Sequence, residues 1–363
     1  MELLRLDNNT LEPRWILENY KSLIWTERYF ELGEFKLVYE KPMFYQMPPG
    51  EGPAAYQPPS IGEYLACTES PAIMKIESVD ATQQENGTFQ WTLSGRSVEA
   101  ILEQRTTMLA SNPQKEYWTR TGSAGGNASV LINSIVSQGL GYGGAADNIT
   151  ELDTPVQSGG PNVTSKVKQG SLYTRVREIL TPYGLGFFIR RNATTKKLQL
   201  EIYNGLDRTS TQSSRPVVAF NVEAGDFAES TYLRSIKEDK ATAYVRGRTM
   251  SRIIGSPDSG LTRKVVYVDA SDVQPDDGDE FTILGERGQA AIDDAIEVQM
   301  FDGKLQPNNQ FVYERDYKLG DIVQIDSYVH GYHAKARVIE RILSADVNGV
   351  RTYPTFKTTQ QLN

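Results

Sequence analysis

The chain has 363 residues, of which 39% are hydrophobic and 23% charged, with a formal net charge of −8. That length exceeds what one core usually spans, so two or three domains are expected. The negative charge disfavours non-specific binding to nucleic acid, whose phosphates would be repelled on average. Nothing approaches ~18 consecutive apolar residues, so no membrane-spanning segment is read.

MELLRLDNNTLEPR at the start has no basic stretch, long apolar core or small-residue cleavage site, and no signal peptide is expected. Without a secretory signal, the sequons at Asn8, Asn86, Asn127, Asn148, Asn162 and Asn192 are read as polar turns. The single cysteine, Cys67, excludes an intramolecular disulfide and a Cys-rich metal site.

In chain order, Tyr29–Glu40, Ile73–Thr82 and Thr88–Ser94 alternate as strands, the last two joined by a turn at Asn86–Gly87. Between the first two lies the loop 41–60, whose six prolines (Pro42, Pro48, Pro49, Pro53, Pro58, Pro59) cannot sit inside a sheet. It carries Met43, Phe44, Tyr45, Met47 and Tyr56. Two readings stay open: a loose surface loop, or a partner-binding arm whose bulky apolar residues are covered in a complex. A helix follows, with Ser97 as N-cap and Val98, Ile101 and Leu102 at helical spacing.

From Ser111 to Pro216 the composition changes. Asn127–Gln138 reads as a short helix stopped by Gly139, and Ser171 caps a second, LYTRVREIL, ended by Pro182 and Gly184. Strands GFFIRR and LQLEIYN then flank a polar turn. Strand patterns resume at Val217–Val222, Thr242–Arg248 and Arg263–Val268, followed by a helix over Gly288–Phe301. Strands return at Asp321–Tyr328, Ala334–Leu343 and Val350–Phe356.

The chain repeats itself. ERYFELGEFKLV (Glu27–Val38) and ERDYKLGDIVQI (Glu314–Ile325) share Glu, Arg, Leu, Gly and an acid in register: Glu27, Arg28, Leu32, Gly33 and Glu34 against Glu314, Arg315, Leu319, Gly320 and Asp321. Further on, KIESV (75–79) echoes VIERI (338–342), and each copy then reaches an Asn-Gly turn and a strand holding an aromatic, Trp91 or Tyr353. The interval is longer in the first copy, where the Pro-rich loop falls. Gly33 and Gly320 are expected at matching turns, and the Glu-Arg pairs are expected to be structural.

The resulting division is a first β domain at 1–110, an inserted helix-plus-hairpin module at 111–215, a second β domain at 216–262 and 305–357, and an inserted acidic loop and helix at 263–304. The fold class is mainly β (α+β).

The remaining motifs carry little chemistry. GLGYGG at Gly139–Gly144 fits a dinucleotide pattern only formally, since a helix precedes it and no helix opens at its end. His330 and His333, the only histidines, are too few for a zinc site and are read as turn residues. No serine sits in a G-x-S-x-G elbow, and the run DASDVQPDDGDE lacks the spacing of a calcium loop. With 46 acids, paired carboxylates for glycoside cleavage are not resolved by sequence. No catalytic, metal or cofactor site is assigned.

WTERYFELGEFKLV, IMKIESV, SGRSVEAILEQR, GLGFFIRR and finally YKLGDIVQID…ARVIERI…YPTF resemble, in order and spacing, the ReqiPepy-type tail proteins of siphophages. That family lies within the phage tail-tip and baseplate hub proteins, and the resemblance runs from Leu3 to about Phe356. It implies two tail-tube-like β-barrel domains per chain and a homotrimer whose six barrels continue a hexameric tail tube. It also implies a place in the virion at the distal end of the tail, after synthesis in the host cytoplasm. The implied neighbours are the distal tail protein, the tape measure protein, and receptor-binding proteins or fibres, with DNA only as transiting cargo along a negative wall. The family offers no catalytic residues and no cofactor. Longer relatives carry a lytic or receptor-binding domain after the hub, for which the seven residues past Phe356 are expected to leave no room. The alternative expectation is a glycan-binding or glycan-degrading tail protein using Tyr45, Tyr56, Trp118 and Tyr142.

Overall fold

In a computed structural model, the structure describes residues 1–40, 45–46, 59–85, 87, 89–111, 117–192, 194–237, 239–271, 273, 279–294, 298–306 and 309–361. The chain divides into two compact units. One comprises Met1–Glu229 with Gly303–Asn363, the other Ser230–Asp302.

The larger unit begins with β1 (Leu3–Leu6), β2 (Pro13–Leu17), β3 (Ser22–Arg28), β4 (Glu34–Tyr39), β5 (Tyr45–Gln46), β6 (Tyr64–Cys67), β7 (Ser70–Gln83) and β8 (Phe89–Ser97). Strict alternation in EFKLVY buries Phe35, Leu37 and Tyr39 on one face of β4, where they join Leu23, Trp25, Leu65, Met74, Ile76 and Leu93 in one core. After Ser97 the chain forms a short 3-10 helix, Val98–Gln104, in place of a longer capped helix. The Ser97 hydroxyl makes no cap bond there; it accepts from the Gly33 N–H at 3.0 Å.

The inserted module holds β9 (Tyr117–Ser123), α1 (Ala124–Val136), β10 (Leu152–Asp153), β11 (Asn162–Lys168), α2 (Leu172–Leu180), β12 (Leu185–Arg191) and β13 (Leu198–Asn204). Ser123 caps α1 by accepting from the Gly126 N–H. Leu131, Ile132 and Ile135 of α1 meet Val176 and Leu180 of α2 and Ile189 and Leu200 of the hairpin in a second core.

The chain continues through β14 (Ala219–Asn221) and β15 (Phe227–Ser235). The smaller unit then contains β16 (Thr242–Arg246), β17 (Ser251–Gly255), β18 (Val265–Asp269) and α3 (Glu280–Asp294). Ala243, Val245 and Leu284 lie in its core. The helix starts earlier than its apolar spacing suggests because the Asp279 carboxylate, just before it, accepts from the Thr282 N–H at 3.1 Å. The chain then runs through β19 (Val298–Leu305), β20 (Ile322–Ser327), β21 (Tyr332–Asp346) and β22 (Gly349–Gln361). In this last part of the larger unit, Phe220 packs edge-on or tilted against Phe227, Phe311, Tyr317 and Phe356.

The expected pair of barrels is absent. Among the described residues, fourteen strands form one sheet with an open path, β15-β19-β22-β21-β3-β4-β8-β7-β6-β1-β2-β5, with β20 and β14 branching from β21. The reason lies in the length of β21. Its first half pairs with β20, from Ile322↔Arg337 to Ser327↔Tyr332, and its second half with β3, from Glu340↔Arg28 to Asp346↔Ser22. The edge each repeat would need to close on itself is given to the other repeat.

The path also has an internal order. β3-β4-β8-β7-β6-β1 in the first repeat is matched by β15-β19-β22-β21-β20-β14 in the second. The match reaches single hydrogen bonds. The Gly62 N–H donates to Ile76 O and the Ile76 N–H to Glu63 O; likewise the Gly320 N–H donates to Val338 O and the Val338 N–H to Asp321 O. Each long strand then bulges one residue later, between Ile76 and Ser78 in β7 and between Val338 and Glu340 in β21. The bulge flips side-chain parity, so Tyr332, Ala334, Ala336 and Val338 are buried before it and Arg341, Leu343 and Ala345 after it. One member differs: β1 runs antiparallel to β6, whereas β14 runs parallel to β20.

Candidate functional site: the seam between the repeats

The structure places most of the sequence-singled residues on the seam where β3 joins β21, or close beside it. Arg28 donates from Nε to Glu340 at 2.6 Å, from Nη2 to Glu34 at 2.5 Å, and from Nη1 to the Leu32 carbonyl at 3.0 Å. Glu27 points inward and is nearly inaccessible. Arg341 donates from Nη1 to it at 3.1 Å and to the Glu69 carbonyl at 2.8 Å, and its guanidinium lies 3.8 Å from the Tyr313 ring centroid. Burial pushes the Glu27 carboxyl above the usual carboxylate range, against the opposing pull of Arg341. Arg341 and Tyr313 line a cavity of about 670 Å³ together with Glu69, Glu314, Tyr317 and Val350.

Tyr29 is the pivot on the other side. Its N–H donates to Ile339 O at the bulge, and its hydroxyl lies 2.9 and 3.0 Å from the Gly184 and Tyr203 carbonyls and accepts from the Gly205 N–H. Arg337 lies over the Tyr29 ring and donates to the Gly320 carbonyl at 2.6 Å. The hairpin module and both repeats therefore meet on one tyrosine.

The second copy of the sequence motif is used differently. Glu314 takes a positive φ of 66° and its N–H donates to Tyr317 O, while Arg315 is exposed and pairs with its neighbour Asp316. Leu319 is buried, Leu32 half-buried. Asp321, fully buried, accepts from the Leu206 N–H at 2.8 Å and from Arg208 Nε at 2.6 Å. The residue that shares this duty is Glu63, which takes Arg5 and the Ser60 N–H. Gly62 and Gly320 also share their backbone, with φ of +92° and +88°, whereas Gly33 has no positive φ. Sequence comparison missed this correspondence, although Ile61-Gly62-Glu63 against Leu319-Gly320-Asp321 is an apolar-Gly-acid triplet in both repeats. The longer likeness of ERYFELGEF to ERDYKLGDI outweighed it.

The interface-loop residues Met43, Phe44, Met47 and Tyr56 lie outside the described residues. Tyr45 pairs with Leu17 in the ladder between β2 and β5. Of the aromatics considered for glycan binding, Trp118 lies in β9 opposite Val167 of β11, and Tyr142 stands exposed in the glycine-rich turn. That turn is no phosphate cradle, because the Asp147 carboxylate folds over it and accepts from the Gly143 N–H at 3.0 Å. His333 Nδ1 bonds Asp326. No group of three His, Cys, Asp or Glu side chains that could hold a metal occurs among the described residues. Burial, with Glu27 nearby, pushes the Cys67 thiol up to about 12.

Glu99 is another buried carboxylate. Its Oε1 accepts from the Ile189 N–H at 2.7 Å, and burial raises its pKa above the usual range. Between the ordinary carboxylate pKa and that raised value, the folded chain keeps a proton the unfolded chain has lost. Stability therefore falls as pH rises through that window. Glu99→Gln keeps an acceptor for Ile189 and removes the titration. It is expected to gain about 1–2 kcal/mol near pH 8 and nothing near pH 4. Thermal melts at the two pH values check this; equal melting temperatures of variant and parent at the higher pH would refute it.

The family model for siphovirus ReqiPepy6 Gp37-like proteins matches residues 3–356. The chain belongs to this family. No curated protein matches it in sequence. Among solved structures, this member of the Gp37-like family is similar to a tail protein from Neisseria meningitidis MC58, with a TM-score of 0.58 at 11% identity over 99% of this chain and 96% of that one. It is also similar to the 43 kDa tail protein of prophage MuSo2 from Shewanella oneidensis, with a TM-score of 0.58 at 11% identity over 98% and 97%. A third similar structure is the prophage tail protein gp18 from Listeria monocytogenes EGD-e, with a TM-score of 0.52 at 8% identity over 100% and 96%. At such identities the likeness is one of fold, and it extends over the whole chain.

No helix among the described residues is long and apolar enough to cross a membrane.

Proposed function

We propose that the chain is a structural, non-catalytic component of a phage tail, and that three copies form a ring at its distal end. The observation that carries this reading is the repeat, matched down to its glycine, its acid and its bulge. Two like repeats per chain let a threefold ring present sixfold-like contacts to a hexameric tube, which one repeat per chain could not do. Family membership and the tail proteins that share the fold support the tail role. The ring contacts the distal tail and tape measure proteins along the tube axis, with fibres or receptor-binding proteins outside, and DNA leaves through its opening. The net charge of −8 suits a passage that does not hold DNA.

The test is the mass by light scattering together with negative-stain imaging. A mass about three times the 40.6 kDa of one chain, with ring-shaped particles, is expected. A single-chain mass at every concentration, with no rings, would overturn the proposal.

A further inference from the structure

The internal symmetry leaves one contact unmatched. Within the chain, β3 of the first repeat adds antiparallel to the distal half of β21 in the second. The equivalent of β21 is β7, and its distal half pairs with β8 on one side, from Ser78↔Ser94 to Gln83↔Phe89. On the other side β6 reaches only as far as Lys75, apart from the Glu63 and Gly62 bonds to Ile76. Ser78, Asp80, Ala81, Thr82 and Gln83 are exposed.

The equivalent of β3 is β15, which stands at one end of the sheet path with β19 as its one neighbour among the described residues. Its Ala228, Glu229, Thr231 and Leu233 are exposed, and Ile236 just beyond is 57% exposed. Neither segment, SVDATQ or FAESTYLRS, has a proline or lysine of the kind that normally guards an open sheet edge. Among the described residues, one repeat thus carries an open acceptor edge and the other an open donor strand, in the same order that is already satisfied inside the chain.

We propose that β15 of one copy of the chain adds antiparallel to the Ser78–Gln83 edge of β7 in the next copy, repeating between chains the seam that β3 and β21 make within one. The inference rests on the ring proposed above and says how that ring is held. The contact is head-to-tail, so it propagates from chain to chain and closes when the rotation permits. It would leave no long open edge on either strand.

The experiment is amide hydrogen exchange by mass spectrometry on the full chain, above and below the concentration at which it assembles. Peptides covering residues 78–83 and 227–235 are expected to exchange roughly tenfold or more slowly in the assembled form, because ladder hydrogen bonds protect amides that an open edge leaves to solvent. Rings in which either segment exchanges as fast as in the single chain would overturn this inference and leave the ring standing. Absence of any assembled species would overturn both. Proline at Ala81 and, separately, at Thr82 gives a second readout, since neighbouring N–H groups point to opposite edges of a strand. The variant that loses the outward N–H is expected to keep the parent melting temperature as a single chain and to lose assembly. Unaltered assembly by both variants would count against the proposal.

Discussion

Arg341→Ala is expected to destabilise the chain by about 3–5 kcal/mol, the range for removing one partner of a buried ion pair. Arg341 and Glu27 side chains are 6% and 4% exposed, so the carboxylate left behind has little water to turn to. The loss includes the bond to the Glu69 carbonyl and the contact with the Tyr313 ring. Burial already raises the pKa of Glu27 and Arg341 opposes that rise, so the variant drives it higher still. Its stability should then fall further as pH rises above the ordinary carboxylate pKa, since folding requires a proton the unfolded chain releases. Near pH 4 the gap to the parent should narrow. Replacing both residues, with Glu27→Gln and Arg341→Met, should recover part of the loss, as apolar or neutral substitutes for a buried pair often do. Denaturant unfolding at two pH values measures both variants against the parent. A single-variant loss below about 1 kcal/mol would show that the pair is solvated, unlike its geometry.

The second large effect separates two glycines that hold the same place in the two repeats. Gly320→Ala is expected to cost about 3 kcal/mol or more, from strain at positive φ together with overpacking. A Cβ there would lie 2.3 Å from Cε2 of Tyr29, which is fixed by hydroxyl contacts to Gly184, Tyr203 and Gly205. Gly62→Ala has almost the same φ, +92° against +88°, yet no described residue lies within 4 Å of its Cβ. Only the backbone term remains, about 1 kcal/mol. Equal losses for the two would mean that packing on Tyr29 contributes nothing. The asymmetry also locates where the repeats have diverged: Gly320 packs on Tyr29, which holds the hairpin module, and no described residue fills the matching place at Gly62.

How much of this was legible in the sequence can be read from particular residues. The alternation in EFKLVY and in the halves of β21 marks strands, because side chains on a half-buried strand alternate faces. Ser171 and Gly184 mark the ends of the second helical segment for equally local reasons: α2 begins after Ser171, and Gly184 takes φ +67° just past the last turn. The helix at α3 was displaced, since the Asp279 carboxylate just before it accepts from the Thr282 N–H and sets its start, and its apolar spacing continued into what became strand β19. The seam residues Glu27, Arg28, Gly320 and Asp321 were visible as a repeat, but their partners were not. Nothing in the sequence pairs Arg341 with Glu27 or Tyr29 with Gly320, and Glu63 is marked only by the short apolar-Gly-acid triplet it shares with Asp321.

The sequence by itself determined where many strands and the helix LYTRVREIL fall and that β segments recur in like order, because hydrophobic alternation and turn chemistry are local properties. Only the tertiary structure decided that Gly320 answers to Gly62 in backbone and bonding, and that β21 gives its second half to β3 so that no barrel closes. Strand pairing is made by backbone N–H and C=O groups that every residue possesses, so the choice of neighbour leaves little trace in side chains. A one-residue bulge then reverses which side chains face the core, and that reversal is visible only once the ladder is in place.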